Sequence, residues 1–114
     1  MRPTRHIIVL RADLPLGVFT AQLTHAAGES ARLADLPKNT HAVVLEAKDE
    51  AALLEIEACL TACGLPHAAI REPDAPYNGA ITALGLAPLA PHQLTGEAKR
   101  MLRRLPLFGK GESR

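Results

Sequence analysis

The chain has 114 residues, of which 47% are hydrophobic and 3% aromatic, with a formal net charge of +1. That length suits one domain with its own core. Phe19, Phe108 and Tyr77 are its aromatic residues, so the core is built from Leu, Ile, Val and Ala, and both bulk electrostatic capture of nucleic acid and ring-stacking on single strands lose support. No apolar run approaches the roughly 18 residues of a membrane span, and no apolar leader segment precedes the early charges, so the expectation is a cytoplasmic protein with no membrane partner.

The first strand is expected over His6 to Leu10, where Ile7-Ile8-Val9-Leu10 is a continuous apolar run of the kind covered on both faces. Asp13-Leu14-Pro15-Leu16-Gly17 breaks the chain. From Val18 to about Leu33, Phe19, Leu23, Ala26, Ala27 and Leu33 recur at helical spacing. Asp35 to Asn39 ends that helix, and Ala42-Val43-Val44-Leu45 supplies a second strand. Asp49 reads as the N-cap of a second helix with Ala52, Leu53, Ile56, Leu60 and Cys63 on one stripe. Gly64 stands where a helix-ending glycine belongs, with Pro66 behind it. Cys59 and Cys63, four apart on that helix, suit neither a disulfide nor a metal site and read as buried, reduced thiols. His67 to Ile70 is a weaker third strand, Pro73 to Gly79 a loop of turn-forming residues, and Ala80 to Leu86 a fourth strand. Pro91 opens a final helix that ends near Leu105.

The order β-α-β-α-β-β-α predicts an α/β three-layer sandwich, a four-stranded mixed sheet with helices on both faces. No repeat or interdomain linker divides it. A single domain is expected, ordered over about residues 5–108, with a tail from 109 to 114.

Three segments carry a family likeness. The first is Val9-Leu10-Arg11-Ala12-Asp13-Leu14-Pro15-Leu16-Gly17 running into Ala21-Gln22-Leu23-Thr24-His25-Ala26. The second is Val43-Val44-Leu45-Glu46-Ala47, then Asp49-Glu50 and a helix ending at Gly64-Leu65-Pro66. The third is Ile70-Arg71-Glu72, a loop, and Gly79-Ala80-Ile81-Thr82-Ala83-Leu84-Gly85-Leu86-Ala87-Pro88. In this order the chain resembles the archaeal and eukaryotic-type (type 2) peptidyl-tRNA hydrolases, and Leu105 to Lys110 is similar to the tail of the branch called peptidyl-tRNA hydrolase domain-containing proteins. The likeness also shows departures. Val18-Phe19-Thr20 stand where the family carries a lysine, Arg71-Glu72-Pro73-Asp74-Ala75-Pro76 replaces its arginine-aspartate-alanine-glycine stretch, and Ala80 replaces a threonine.

The resemblance implies hydrolysis of the ester between a peptidyl group and tRNA, with tRNA as partner and no metal or organic cofactor. Such chemistry needs a positioned water or base, donors for an oxyanion and a grip on phosphate. The expected catalytic set is His25, Asp13, Gln22 and Asp74. Arg11, Arg71, Glu72, Thr82, Lys99, Arg100 and Arg103 are expected to bind substrate. Each has a plainer reading. His25 serves equally as a packed spacer, Asp13 as a turn former, Asp74 as a solvated loop residue and Thr82 as strand packing. Glu72 pairs as readily with Arg71, and the cations of the last helix also complement its dipole. At the level of function, the alternative is a catalytically inactive tRNA-binding or protein-interaction module on the same fold. A homodimer is compatible with either.

Overall fold

The computed structural model describes residues 2–109 of the chain. Its first strand, β1 (Arg5–Arg11), is buried from His6 through Leu10, because it lies inside the sheet with helices on both sides. That is why its sequence is a continuous apolar run rather than an alternating one. Helix α1 (Leu16–Ala31) follows Pro15, whose extended backbone serves as the N-cap without any side-chain bond. Strand β2 (His41–Ala47) lies parallel to β1. Helix α2 (Glu50–Ala62) starts at Asp49, whose carboxylate accepts from the Ala52 amide at 3.0 Å. The chain leaves α2 through Gly64 at φ +69°, a left-handed position that glycine adopts without strain. Strands β3 (His67–Glu72) and β4 (Ala80–Leu86) pair antiparallel, and β4 also pairs antiparallel with β1. The sheet order is β2-β1-β4-β3.

Leu53, Ile56 and Leu60 of α2 pack on Ile7, Val9, Leu84 and Leu86. Ala26 of α1 packs on Ile8, Leu10 and Ala83 from the other side. The result is the expected α/β sandwich: a four-stranded mixed sheet between α1 and the remaining helices. No helix among the described residues is long and apolar enough to cross a membrane.

Four expectations are corrected. The final helix is not continuous from Pro91: a short 3-10 turn (Pro91–Gln93) is followed by extended backbone at Leu94 and Thr95, then by α3 (Gly96–Arg103). The break lets Leu94 bury in the same core as Ala98 and Leu102. Leu33 lies beyond the end of α1 and is exposed. Cys63 is exposed and Cys59 half-buried, because Cys63 is the C-cap residue, past the last turn that meets the sheet. Gly109, expected to begin a tail, is bonded through its amide to Glu46 at 3.1 Å. The rest of that tail, 110–114, lies outside the described residues. The segment before it lies against β2, with Phe108 N–H donating to the Val44 carbonyl and Glu46 N–H to that of Pro106. Phe108 also sets its ring 4.9 Å from that of Phe19, so part of an otherwise open sheet edge is covered.

Helix α1 sits tightly on β4 at Gly85, where a Cβ would meet the Ala26 carbonyl at 2.6 Å and the Ser30 hydroxyl closer still. Ser30 donates to that same carbonyl at 2.6 Å and contacts His6 Nε2 at 2.7 Å. Since the single hydroxyl hydrogen goes to Ala26, His6 must donate from Nε2. Burial lowers the pKa of His6 below its ordinary 6.5, so folding favours the neutral ring. Above pH 6.5 both folded and unfolded chains hold His6 neutral and its contribution is complete. As pH falls below that value the unfolded chain takes the proton first, and stability drops until the folded pKa is passed. Denaturant midpoints measured from pH 7 downward are expected to fall in this window, and His6→Asn is expected to flatten the fall.

Candidate active site

At one end of the sheet, the C-terminal ends of β1 and β3, the start of β4 and the N-terminal half of α1 come together. The Gln22 side chain is buried on α1. Its carbonyl oxygen accepts from the Thr82 hydroxyl at 2.8 Å, and its amide donates to Glu72 Oε2 at 2.9 Å. The other Glu72 oxygen accepts from the Asp74 backbone amide at 3.0 Å. Thr82, Gln22, Glu72 and the 73–79 loop are therefore one hydrogen-bonded chain.

The sheet register explains how Thr82 takes part. Ile70 pairs with Ala83 and the next residue, Arg71, with Ile81, so Thr82 is an extra residue on β4. Such a bulge turns two successive side chains towards one face. Ala83 packs with the α1-side core, while Ile81 and Leu84 pack with the α2-side core. Thr82 joins Ala83 on the α1 side and reaches Gln22. The Ile70 carbonyl, 3.2 Å from the same hydroxyl, is its second available acceptor.

Beside this chain lies an open cleft of about 280 Å³, lined among others by Gly17, Val18, Gln22, Glu72, Asp74 and Tyr77. One wall is the uncapped start of α1, which carries no acidic residue in its first turn. The opposite wall is the loop, held by Gly79 N–H donating to the Glu72 carbonyl at 2.7 Å and by the Tyr77 and Asn78 amides donating to the Asp74 carbonyl. Asn78 and Gly79 take positive φ there, 48° and 90°.

The remaining candidates are placed differently. Arg11 forms a two-bond pair with Asp13, at 2.9 and 3.0 Å, and donates to the Ile81 carbonyl at 3.0 Å. The pair closes the end of β1 against β4. The hydrogen bond from Arg11 holds Asp13 below the ordinary carboxylate range. Arg71 turns to the α2 side, 3.7 Å from Glu57, which also stands 3.9 Å from His67. Alternation along β3 thus separates Arg71 from Glu72. His25 is exposed on α1 and does not line the cleft. Gln22, Ala26 and Ser30 are the buried positions of α1, four apart in turn, and His25 lies off that stripe. Arg100 pairs with Glu97 at 3.0 Å, and Lys99 and Arg103 line a hollow at the opposite end of β1. Tyr77 was not legible as a site residue, and Val18 and Ala21 stood in the family-like segment without a role of their own, though all three line the cleft. Among the described residues, no group of three or more His, Cys, Asp or Glu gathers as a metal site.

A family model described as peptidyl-tRNA hydrolase PTH2 matches residues 4–105. The matched span contains β1 through α3, including every residue of the Thr82–Gln22–Glu72 chain. No curated protein matches the chain.

Proposed function

We propose a function from one premise: the chain belongs to the peptidyl-tRNA hydrolase PTH2 family. It cleaves the ester between a peptidyl group and tRNA in the cleft between α1 and the 73–79 loop. The observation that carries this reading is the Thr82–Gln22–Glu72 chain, which fixes a carboxylate and an amide at the cleft wall.

Ester hydrolysis needs a base to take the proton of the attacking water and a donor for the anionic carbonyl oxygen. Each Glu72 oxygen accepts one bond, from Gln22 or from the Asp74 amide, and each keeps a lone pair for a water. The Gln22 amide carries two hydrogens; one goes to Glu72 and the other serves the oxyanion. Asp74, on the cleft wall, is a second acceptor for the water. The first amides of α1 add partial positive charge beside Gly17 and Val18, where the family carries a lysine. Val18, Ala21 and Tyr77 give the cleft an apolar side for the less polar part of the substrate. Arg11 and Asp13 act on each other and join the end of β1 to β4 at the Ile81 carbonyl.

The test is purified protein with an N-blocked aminoacyl-tRNA. Release of the acyl group is expected above the buffer rate, and Glu72→Gln is expected to lower it by about 10²-fold or more. Release at the buffer rate by the unaltered protein ends the enzymatic reading. The absence of lysine at Val18-Phe19-Thr20 and of threonine at Ala80 favours a second one, an inactive tRNA-binding module. It expects salt-sensitive tRNA binding without cleavage.

A further inference from the structure

Basic residues lie at both ends of the sequence, Arg2 and Arg5 at one, Lys99 and Arg103 at the other. The fold brings them together. Arg5 opens β1, and its backbone pairs with Leu89 at 2.8 and 3.0 Å, which sets the segment leading to α3 beside the N-terminal residues. Lys99 and Arg103 are four apart on α3 and share a face. Arg2, Arg5, Lys99 and Arg103 line one hollow of about 110 Å³. A wider one of about 530 Å³ shares Arg2 and Lys99 with it and adds Thr4 and Thr95.

Two observations set this cluster apart from an ordinary charged surface. Among the described residues, no hydrogen bond or ion pair engages the side chains of these four cations, whereas Arg100, their neighbour on α3, is paired with Glu97. Thr95, the N-cap residue of α3, makes no side-chain capping bond and lines the wider hollow. The helix dipole accounts for Arg103 in the last turn, but not for Lys99 at mid-helix or for two arginines from another part of the chain. Among the described residues no carboxylate lines either hollow; four cations brought together in this way repel one another, and an anion relieves that repulsion.

We infer that this cluster is a second contact site for tRNA, taking backbone phosphates at the end of the sheet away from the cleft. The inference rests on the proposed function for the identity of the ligand. Six residue steps along β1 separate Arg5 from Arg11, roughly 20 Å. A tRNA whose 3′ end lies in the cleft is large enough to reach the cluster with its stem. The contact is to phosphates and carries no sequence preference.

The experiment compares deacylated tRNA binding by the unaltered protein, the double variant Lys99→Gln/Arg103→Gln, and Arg100→Gln across a salt series. These are exposed helix positions, and circular dichroism checks that each variant folds. The double variant is expected to bind several-fold more weakly at low salt. Its log-log salt slope is expected to be shallower by about one to two, with Arg100→Gln close to the unaltered protein. An unchanged slope, or an equal loss in Arg100→Gln, overturns the inference. Vesicles containing an acidic phospholipid are run alongside: vesicle binding that depends on the two residues, with tRNA binding that does not, also overturns it. Ester cleavage is read separately. A protein that binds tRNA through this cluster and cleaves nothing refutes the hydrolase reading alone, and cleavage insensitive to the double variant at subsaturating substrate refutes the cluster alone.

Discussion

Gln22→Ala is expected to abolish most ester cleavage and to destabilise the fold together, because one side chain serves both. Its removal leaves Glu72 with the Asp74 amide as its remaining donor and Thr82 with the Ile70 carbonyl, at 3.2 Å, as its remaining acceptor. Losing a hydrogen bond to a charged group costs about 1.5–3 kcal/mol, and losing one oxyanion donor costs about 10²-fold in rate or more. Denaturant unfolding reads the first and release from N-blocked aminoacyl-tRNA reads the second. Thr82→Val provides the contrast. It keeps the Gln22–Glu72 bond, so the stability loss is expected to persist while the rate loss shrinks. A folded Gln22→Ala protein that cleaves within twofold of the original removes the hydrogen-bonded chain from the chemistry.

Gly85→Ala is expected to be among the most damaging single-methyl additions in the molecule. The added Cβ falls 2.6 Å from the Ala26 carbonyl, and a backbone atom within a helix cannot rotate away. Either α1 lifts from the sheet or β4 shifts. Overpacking of this kind costs about 1–3 kcal/mol and occasionally more, and the backbone contact places the expected loss at the upper end. Combining it with Ser30→Ala removes the hydroxyl but leaves the carbonyl, so little stability should return. A Gly85→Ala protein with an unchanged denaturation midpoint would mean that α1 is seated farther from β4 than the Ala26–Gly85 approach requires.

The sandwich was legible because its strongest signals are local. The unbroken apolar run of β1 marks a strand covered on both faces, and Leu53, Ile56 and Leu60 mark the buried stripe of α2. The interruption before α3 was hidden because Pro91 suits a helix start in either case, and burial of Leu94 decided the matter through tertiary packing. At the site, Gln22 and Glu72 were named from the family likeness, but their partnership with Thr82 was not readable. Strict alternation puts Thr82 with Leu84 and Leu86 on the α2 side. No glycine or proline at Thr82 announces the extra residue that sends it the other way. His25 was expected in the catalytic set from the family likeness, whereas position relative to the Gln22–Ala26–Ser30 stripe places it in solvent. Two basic clusters at distant sequence positions likewise gave no hint that Leu89 would draw them into one hollow.

The extra residue in β4 also divides the labour of that strand. Ile81 before it and Leu84 and Leu86 beyond it all face the α2-side core, so the bulge takes Thr82 alone out of their phase and gives it to the α1 side. Deleting Ala83 would remove the bulge and restore strict alternation, so Leu84 and Leu86 would keep their side and the α1 face would lose one of its two successive side chains.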